Sequence, residues 1–281
     1  MGPHTMTMHR RTLALILSLI LAAALPLSAL AGCQQTTTVT GSDTLRIGVR
    51  SDVSGCGYDN DETDGYYGLE IDIARELAAR LGYKDVQFTS VTPDTRKETL
   101  ANDQVDCLVA TYSISASRGQ NFDFSPSYYQ DPSVLVVEQS SEISKLSQLK
   151  GMTIGTMAGT NAAPQLAAKL AEEKFSDGKV VKSSDDNSDI RFDNYRIKQF
   201  NSYKELSDAL EAGTVDAMAV DKSIASAYMN DRRKILGGFT IATQEYGVAT
   251  NKGSALSEPV GTTIQGMLDD GTIAGLVDKW D

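Results

Sequence analysis

Apolar residues alternate at Leu45, Ile47 and Val49, the period-two pattern of a strand, which ends at Arg50. The period then changes: Ile73, Leu77 and Leu81 recur every four residues, and Gly82 closes that helix. Residues 86–89 read as a second strand, 95–101 as a short helix and 106–110 as a third strand. After "FDFSPSYYQDP" the alternation starts again. Strands are predicted over 134–137, 152–156 and 196–200, and helices over 161–173 and 202–212. The 202–212 helix opens on a Ser202-x-x-Glu205 capping box and closes at Gly213. Helices over 256–268 and 273–280 end the chain. Repeated strand–helix–strand units predict an α/β protein with parallel sheets covered by helices. Residues 174–194 are polar, acidic and without period, and read as a mobile surface insertion.

The first residues stand outside this pattern. His9, Arg10 and Arg11 precede an apolar run that closes at Leu30-Ala31-Gly32-Cys33. This reads as a secretory signal over 1–32, broken by Ser18, Pro26 and Ser28, so a membrane span is the weaker alternative. The closing residues resemble a bacterial lipobox, which implies cleavage before Cys33 and lipid attachment on it. Residues 33–43 then form a flexible tether.

Net charge is −11, and removing residues 1–32 takes away two arginines and no acid. Such a balance argues against nucleic acid as a partner. The two histidines, His4 and His9, lie in the signal. A mature chain without histidine has no Ser-His-Asp or Cys-His hydrolytic centre and no histidine metal site. Beyond Cys33 only Cys56 and Cys107 remain, either paired on an oxidising surface or present as two buried thiols. No Gly-x-x-x-x-Gly-Lys-Ser/Thr occurs, so ATP and other cofactors are not expected, and energy must come from a partner.

Candidate chemistry collects at strand ends. "LANDQVDCLVAT" and "LEAGTVDAMAVD" share a leucine, a turn, Val-Asp and an apolar strand, and superimpose Thr111 on Asp221. Ligands of open α/β sheets bind at the carboxyl ends of strands, so two such halves would face each other across one cleft. Arg118, with Ser113 and Thr111, offers the planar donor and hydroxyls that a carboxylate requires. Gly159 and Thr160, ahead of the 161–173 helix, form a second anion seat, and Asp221 is the acceptor for an ammonium. Each feature has an ordinary alternative: turn-forming hydroxyls, a solvated arginine, a helix cap.

Together, "GLEIDIARELAARLG", "VDCLVATYSISASRGQNFDFSPSYY", "GTMAGTN", "LEAGTVDAMAVD", "YGVATNKGS" and "LDDGTIAGLVDKW" resemble the family 3 solute-binding proteins of amino-acid ABC transporters, from residue 44 to the end. Ser115 departs from the threonine usual there. The resemblance implies a two-lobed periplasmic-binding-protein-like type II fold with two hinge strands. Lobe 1 would span 44–130 plus 245–281 and lobe 2 would span 131–244, with hinges near 128–132 and 242–246. It implies Arg118 and Ser113 on the ligand α-carboxylate, Asp221 on the α-ammonium and Thr160 reaching in from lobe 2. Dicarboxylate-binding members carry arginines at positions similar to Arg50, Arg96 and Arg118, so Arg50 and Arg96 are expected on a distal carboxylate, unless Arg50 pairs with Asp52 and Arg96 with Asp94 or Glu98. The expectation is a monomeric, lipid-anchored binding protein for glutamate or aspartate on the outer face of the cell membrane, working with a permease and its ATPase. The rivals are a periplasmic dehydratase-like enzyme, which needs a positioned carboxylate or lysine, and a sensory module.

Overall fold

The computed structural model describes residues 41–60 and 65–280; the signal, Cys33 and most of the tether lie outside them. Two large sheets organise the chain. The first has the order β5 (Asp85–Ser90), β1 (Thr44–Val49), β6 (Cys107–Val109), β16 (Ala249–Asn251) and β7 (Phe122–Phe124). The second runs β10 (Val180–Ser183), β11 (Asp189–Phe192), β12 (Arg196–Phe200), β9 (Thr153–Met157), β13 (Ala217–Asp221), β8 (Tyr129–Glu138) and β14 (Arg233–Ile235), with β15 (Ala242–Tyr246) also on β8. The expected parallel pairing is present, β1 with β5 and β6, and β9 with β12 and β13. Strands β7, β8, β15 and β16 pair antiparallel, so both sheets are mixed. A small third sheet joins β2 (Asp52–Val53), β3 (Gly57–Asn60) and β4 (Gly65–Tyr67).

Each large sheet has its own core. Leu45, Ile47 and Val49 are buried against Ile73 and Leu77 of α1 (Leu69–Arg80) and Val260 and Ile264 of α6 (Ser257–Asp269). Burying one such side chain is worth about 1.5–3 kcal/mol. In the second lobe Ile154, Ile197 and Ala217 meet Leu166 and Leu170 of α3 (Ala162–Glu172) on one face. Met218 and Val220 meet Leu206 and Leu210 of α4 (Tyr203–Glu211) on the other. Ser202 caps α4 by accepting from the Glu205 N–H at 3.1 Å, a cap worth about 1 kcal/mol.

The chain passes from the first sheet to the second between β7 and β8, and returns between β15 and β16. The two crossing strands pair directly, Tyr246 opposite Tyr129 and Ala242 opposite Ser133. Residues 174–194, expected as a mobile surface insertion, contain a hairpin of β10 and β11 on the sheet edge. Its backbone bonds to β12, and from its strands only Ile190 and Phe192 reach the core, too short a pattern for a period to show. Cys56 and Cys107 are free buried thiols in different core clusters, so the paired reading is corrected. Among the described residues no helix is long and apolar enough to cross a membrane.

Candidate functional site

Strands β6 and β13 both run apolar until their last residues, so their buried stems fix where the polar ends emerge. Thr111 follows β6 and Asp221 ends β13, and both line one cavity between the lobes. Arg96, Ser113, Thr160, Asn161, Tyr203 and Gln244 share that lining. The cavity holds about 10 Å³, room for roughly one water molecule, so admitting an amino acid requires the lobes to part.

Thr111 is held in a left-handed conformation, φ 46°, which a β-branched residue adopts only under constraint. The constraint is Glu70 of α1, whose Oε1 accepts from the Thr111 N–H at 2.6 Å and from the Tyr128 hydroxyl at 2.5 Å. Glu70 is 1% exposed and its Oε2 has no partner; burial pushes its pKa up. The helical period places Glu70 with Ile73 and Leu77 on the buried stripe, and an acid on that stripe is the signal that could have revealed it.

The three arginines are placed differently from one another. Arg50 is fully buried, but Asp52 accepts from its Nε at 2.9 Å and from its Nη2 at 2.7 Å, and Thr111 Oγ1 accepts from its Nη1 at 3.3 Å. It stacks over Tyr203 at 5.4 Å and is absent from the cavity lining. Burial lowers its pKa, yet Tyr203 and Asp52 outweigh that and leave it raised. The expectation of Arg50 on a ligand carboxylate is therefore corrected: the Asp52 partnership takes those donors.

Arg96, the first residue of α2 (Arg96–Ala101), turns inward rather than pairing with Asp94 or Glu98. Its Nη1 donates to the carbonyls of Ala110 at 2.6 Å and Thr111 at 3.0 Å, and its buried Nε has no partner. Burial, then Arg118 and Arg50, push it down to about 10. Arg118 opens a short 3-10 turn, Arg118–Gln120. Its Nη1 donates to the Ser113 carbonyl at 2.8 Å. Arg96 and Arg118 both lie over the Tyr112 ring, at 4.5 and 4.3 Å. Arg118 lines an adjoining cavity with Asp94, Tyr112 and Gly159 rather than the inner one.

From the second lobe, Asp221 accepts from Ser133 Oγ, and from the Tyr246 hydroxyl at 2.7 Å. Burial pushes Asp221 up to about 6 against the pull of those two bonds. Tyr246 also reaches buried Asp131 at 3.2 Å, and Asp131 accepts from the Ser223 hydroxyl and backbone at the start of α5 (Lys222–Tyr228). Thr160 Oγ1 donates to the Met157 carbonyl at 2.7 Å and accepts from the Ala162 N–H at 3.2 Å. Gly159, φ 71°, lies against the first lobe: a Cβ there would stand 2.5 Å from the Pro93 carbonyl oxygen and 2.7 Å from Asp94 Cα. Tyr203 and Gln244 escape a sequence reading because one occupies an apolar helix position and the other a hinge strand.

A cleft between two α/β lobes, guanidinium on one wall and carboxylate on the other, joined by paired crossing strands, defines a two-lobed small-molecule-binding protein. The chain belongs to the bacterial extracellular solute-binding proteins, family 3, whose model matches residues 45–281. It is 29% identical to the glutamine-binding protein of Geobacillus stearothermophilus, over 87% of this chain and 95% of that one. It is 27% identical to the ABC transporter glutamine-binding protein GlnH of Bacillus subtilis (strain 168), over 86% and 82%. An ancestral arginine-binding protein bound to glutamine aligns with a TM-score of 0.68 at 27% identity, covering 85% of this chain and 97% of that one. The chain is thus an extracellular solute-binding protein, and the relatives it resembles are named for amino acids and ABC transport.

Proposed function

We propose that the cleft takes a free acidic L-amino acid, glutamate or aspartate, and delivers it to a permease driven by a separate ATPase. The observation that carries this reading is Arg96: a buried cation on the cavity wall, with an unpartnered Nε and no ion-pair acid among the described residues. Arg118 and Ser113 take the α-carboxylate, Asp221 takes the α-ammonium, and Thr160 closes from lobe 2. Arg96 receives the side-chain carboxylate, while Arg50 acts behind it through Thr111 and Tyr203. The relative named glutamate-binding protein GluB, of Corynebacterium efficiens, agrees with this choice. No turnover accompanies binding, and lipid on Cys33 keeps the protein at the outer membrane face as a monomer.

Leaving a buried charge unpaired costs about 2–5 kcal/mol, so glutamate should exceed glutamine by roughly 30-fold to several thousand-fold. Calorimetry with a panel of amino acids tests this, with Arg96→Gln beside the wild type. Glutamate affinity should fall toward that of glutamine in the variant; equal glutamate affinity in both proteins sinks the assignment. Glutamine is the second reading, because Asp52 cancels Arg50 and the Gln244 amide lines the cavity. The same panel decides between them.

A further inference from the structure

A second cationic site stands on the far edge of the large sheet and shares no lining residue with the cleft. Lys182 of β10 lies directly opposite Arg191 of β11, and Arg191 directly opposite Arg196 of β12. Directly opposed residues share a face, so three cations form a row spanning about 10 Å across three strands. Like charges set opposite one another destabilise a sheet, and here they do so in a chain of net charge −11. Arg196 is paired with Asp189. Among the described residues no carboxylate lies within 4.0 Å of Lys182 or Arg191. Lysine on an edge strand guards against edge pairing, which accounts for Lys182 on β10. It does not account for Arg191 and Arg196, whose strands lie inside the sheet.

The row lines a cavity of about 580 Å³ together with Thr153, Asn194 and Tyr195. Two lining residues, Asn194 and Tyr195, carry buried polar atoms without a partner, and Tyr195 is only 3% exposed. Of the acids there, Asp189 is held by Arg196, and Asp193 keeps its charge while accepting from Ser176 Oγ, so three cations face two carboxylates in the lining. We propose that this cavity binds a phosphate-bearing anion, with Lys182 and Arg191 neutralising it.

A soluble phosphate and a phospholipid headgroup present the same chemistry, and two measurements on the full chain separate them. Thermal unfolding is followed in inorganic phosphate against chloride of equal ionic strength. Co-sedimentation compares phosphatidylglycerol with phosphatidylcholine vesicles. Wild type should respond in one of the two, and Lys182→Gln/Arg191→Gln should weaken that response at least tenfold. Arg191→Lys, which keeps the charge, should retain it, and amino-acid affinity in the cleft should not change. A phosphate-specific rise in Tm assigns a soluble ligand; retention on phosphatidylglycerol alone assigns the headgroup. No response in either assay, or one undiminished in the double variant, overturns the proposal.

Discussion

The two walls of the cleft solve opposite electrostatic problems. The first-lobe wall gathers Arg50, Arg96 and Arg118, which repel one another, and relieves the strain unevenly: Asp52 covers Arg50, while Arg96 has only carbonyls and a tyrosine face. The second-lobe wall gathers Asp221 and Asp131 on a single phenol, Tyr246, which has one proton to give. Neither wall is balanced by itself. On the proposed assignment, a zwitterion with an additional anionic end would complement both, coupling closure to recognition.

The largest expected effect comes from removing the anionic wall. Asp221→Asn leaves the ligand ammonium without a counter-charge, so affinity should fall roughly 30-fold to several thousand-fold by calorimetry. An unchanged affinity would place the ammonium elsewhere. Next is the seam between the walls. Gly159→Ala introduces a methyl group against the Pro93 carbonyl, and overpacking of this kind costs about 1–3 kcal/mol. Ligand affinity should drop roughly 5- to 150-fold through faster release in stopped-flow, whereas a loss confined to apo-protein Tm would mean backbone strain alone. The smallest effect is titration. With Asp221 near 6, ammonium binding at pH 5 must first remove a proton, so affinity should be about tenfold weaker than at pH 8. The sign for stability is opposite. A carboxyl whose folded pKa is raised stabilises the fold at low pH, and that contribution is lost as pH climbs from about 4 to about 6.

Much of this architecture was legible in the chain. Alternation and capping signals placed β1, β6 and α4 to within a residue or two, and the period of four with Gly82 gave the C-terminal end of α1. The repeat that aligned Thr111 with Asp221 placed two residues that line one cavity. Long-range pairing was not legible. Arg50 follows β1 and Arg96 opens α2 with the same side chain, yet Asp52 claims one and the turn after Thr92 points the other inward. Glu70 was hidden for a related reason: its partners, the Thr111 N–H and the Tyr128 hydroxyl, lie 41 and 58 residues away.

The small three-stranded sheet carries a further implication. Val53 and Cys56 belong by chain order to the first lobe but pack in the core cluster of Tyr203, Leu206 and Ile224 from the second. Parting the lobes must therefore uncover hydrocarbon and a thiol that is 8% exposed here. Cys56 is thus a built-in clock for the motion, since alkylating reagents can reach it only while the jaws are ajar.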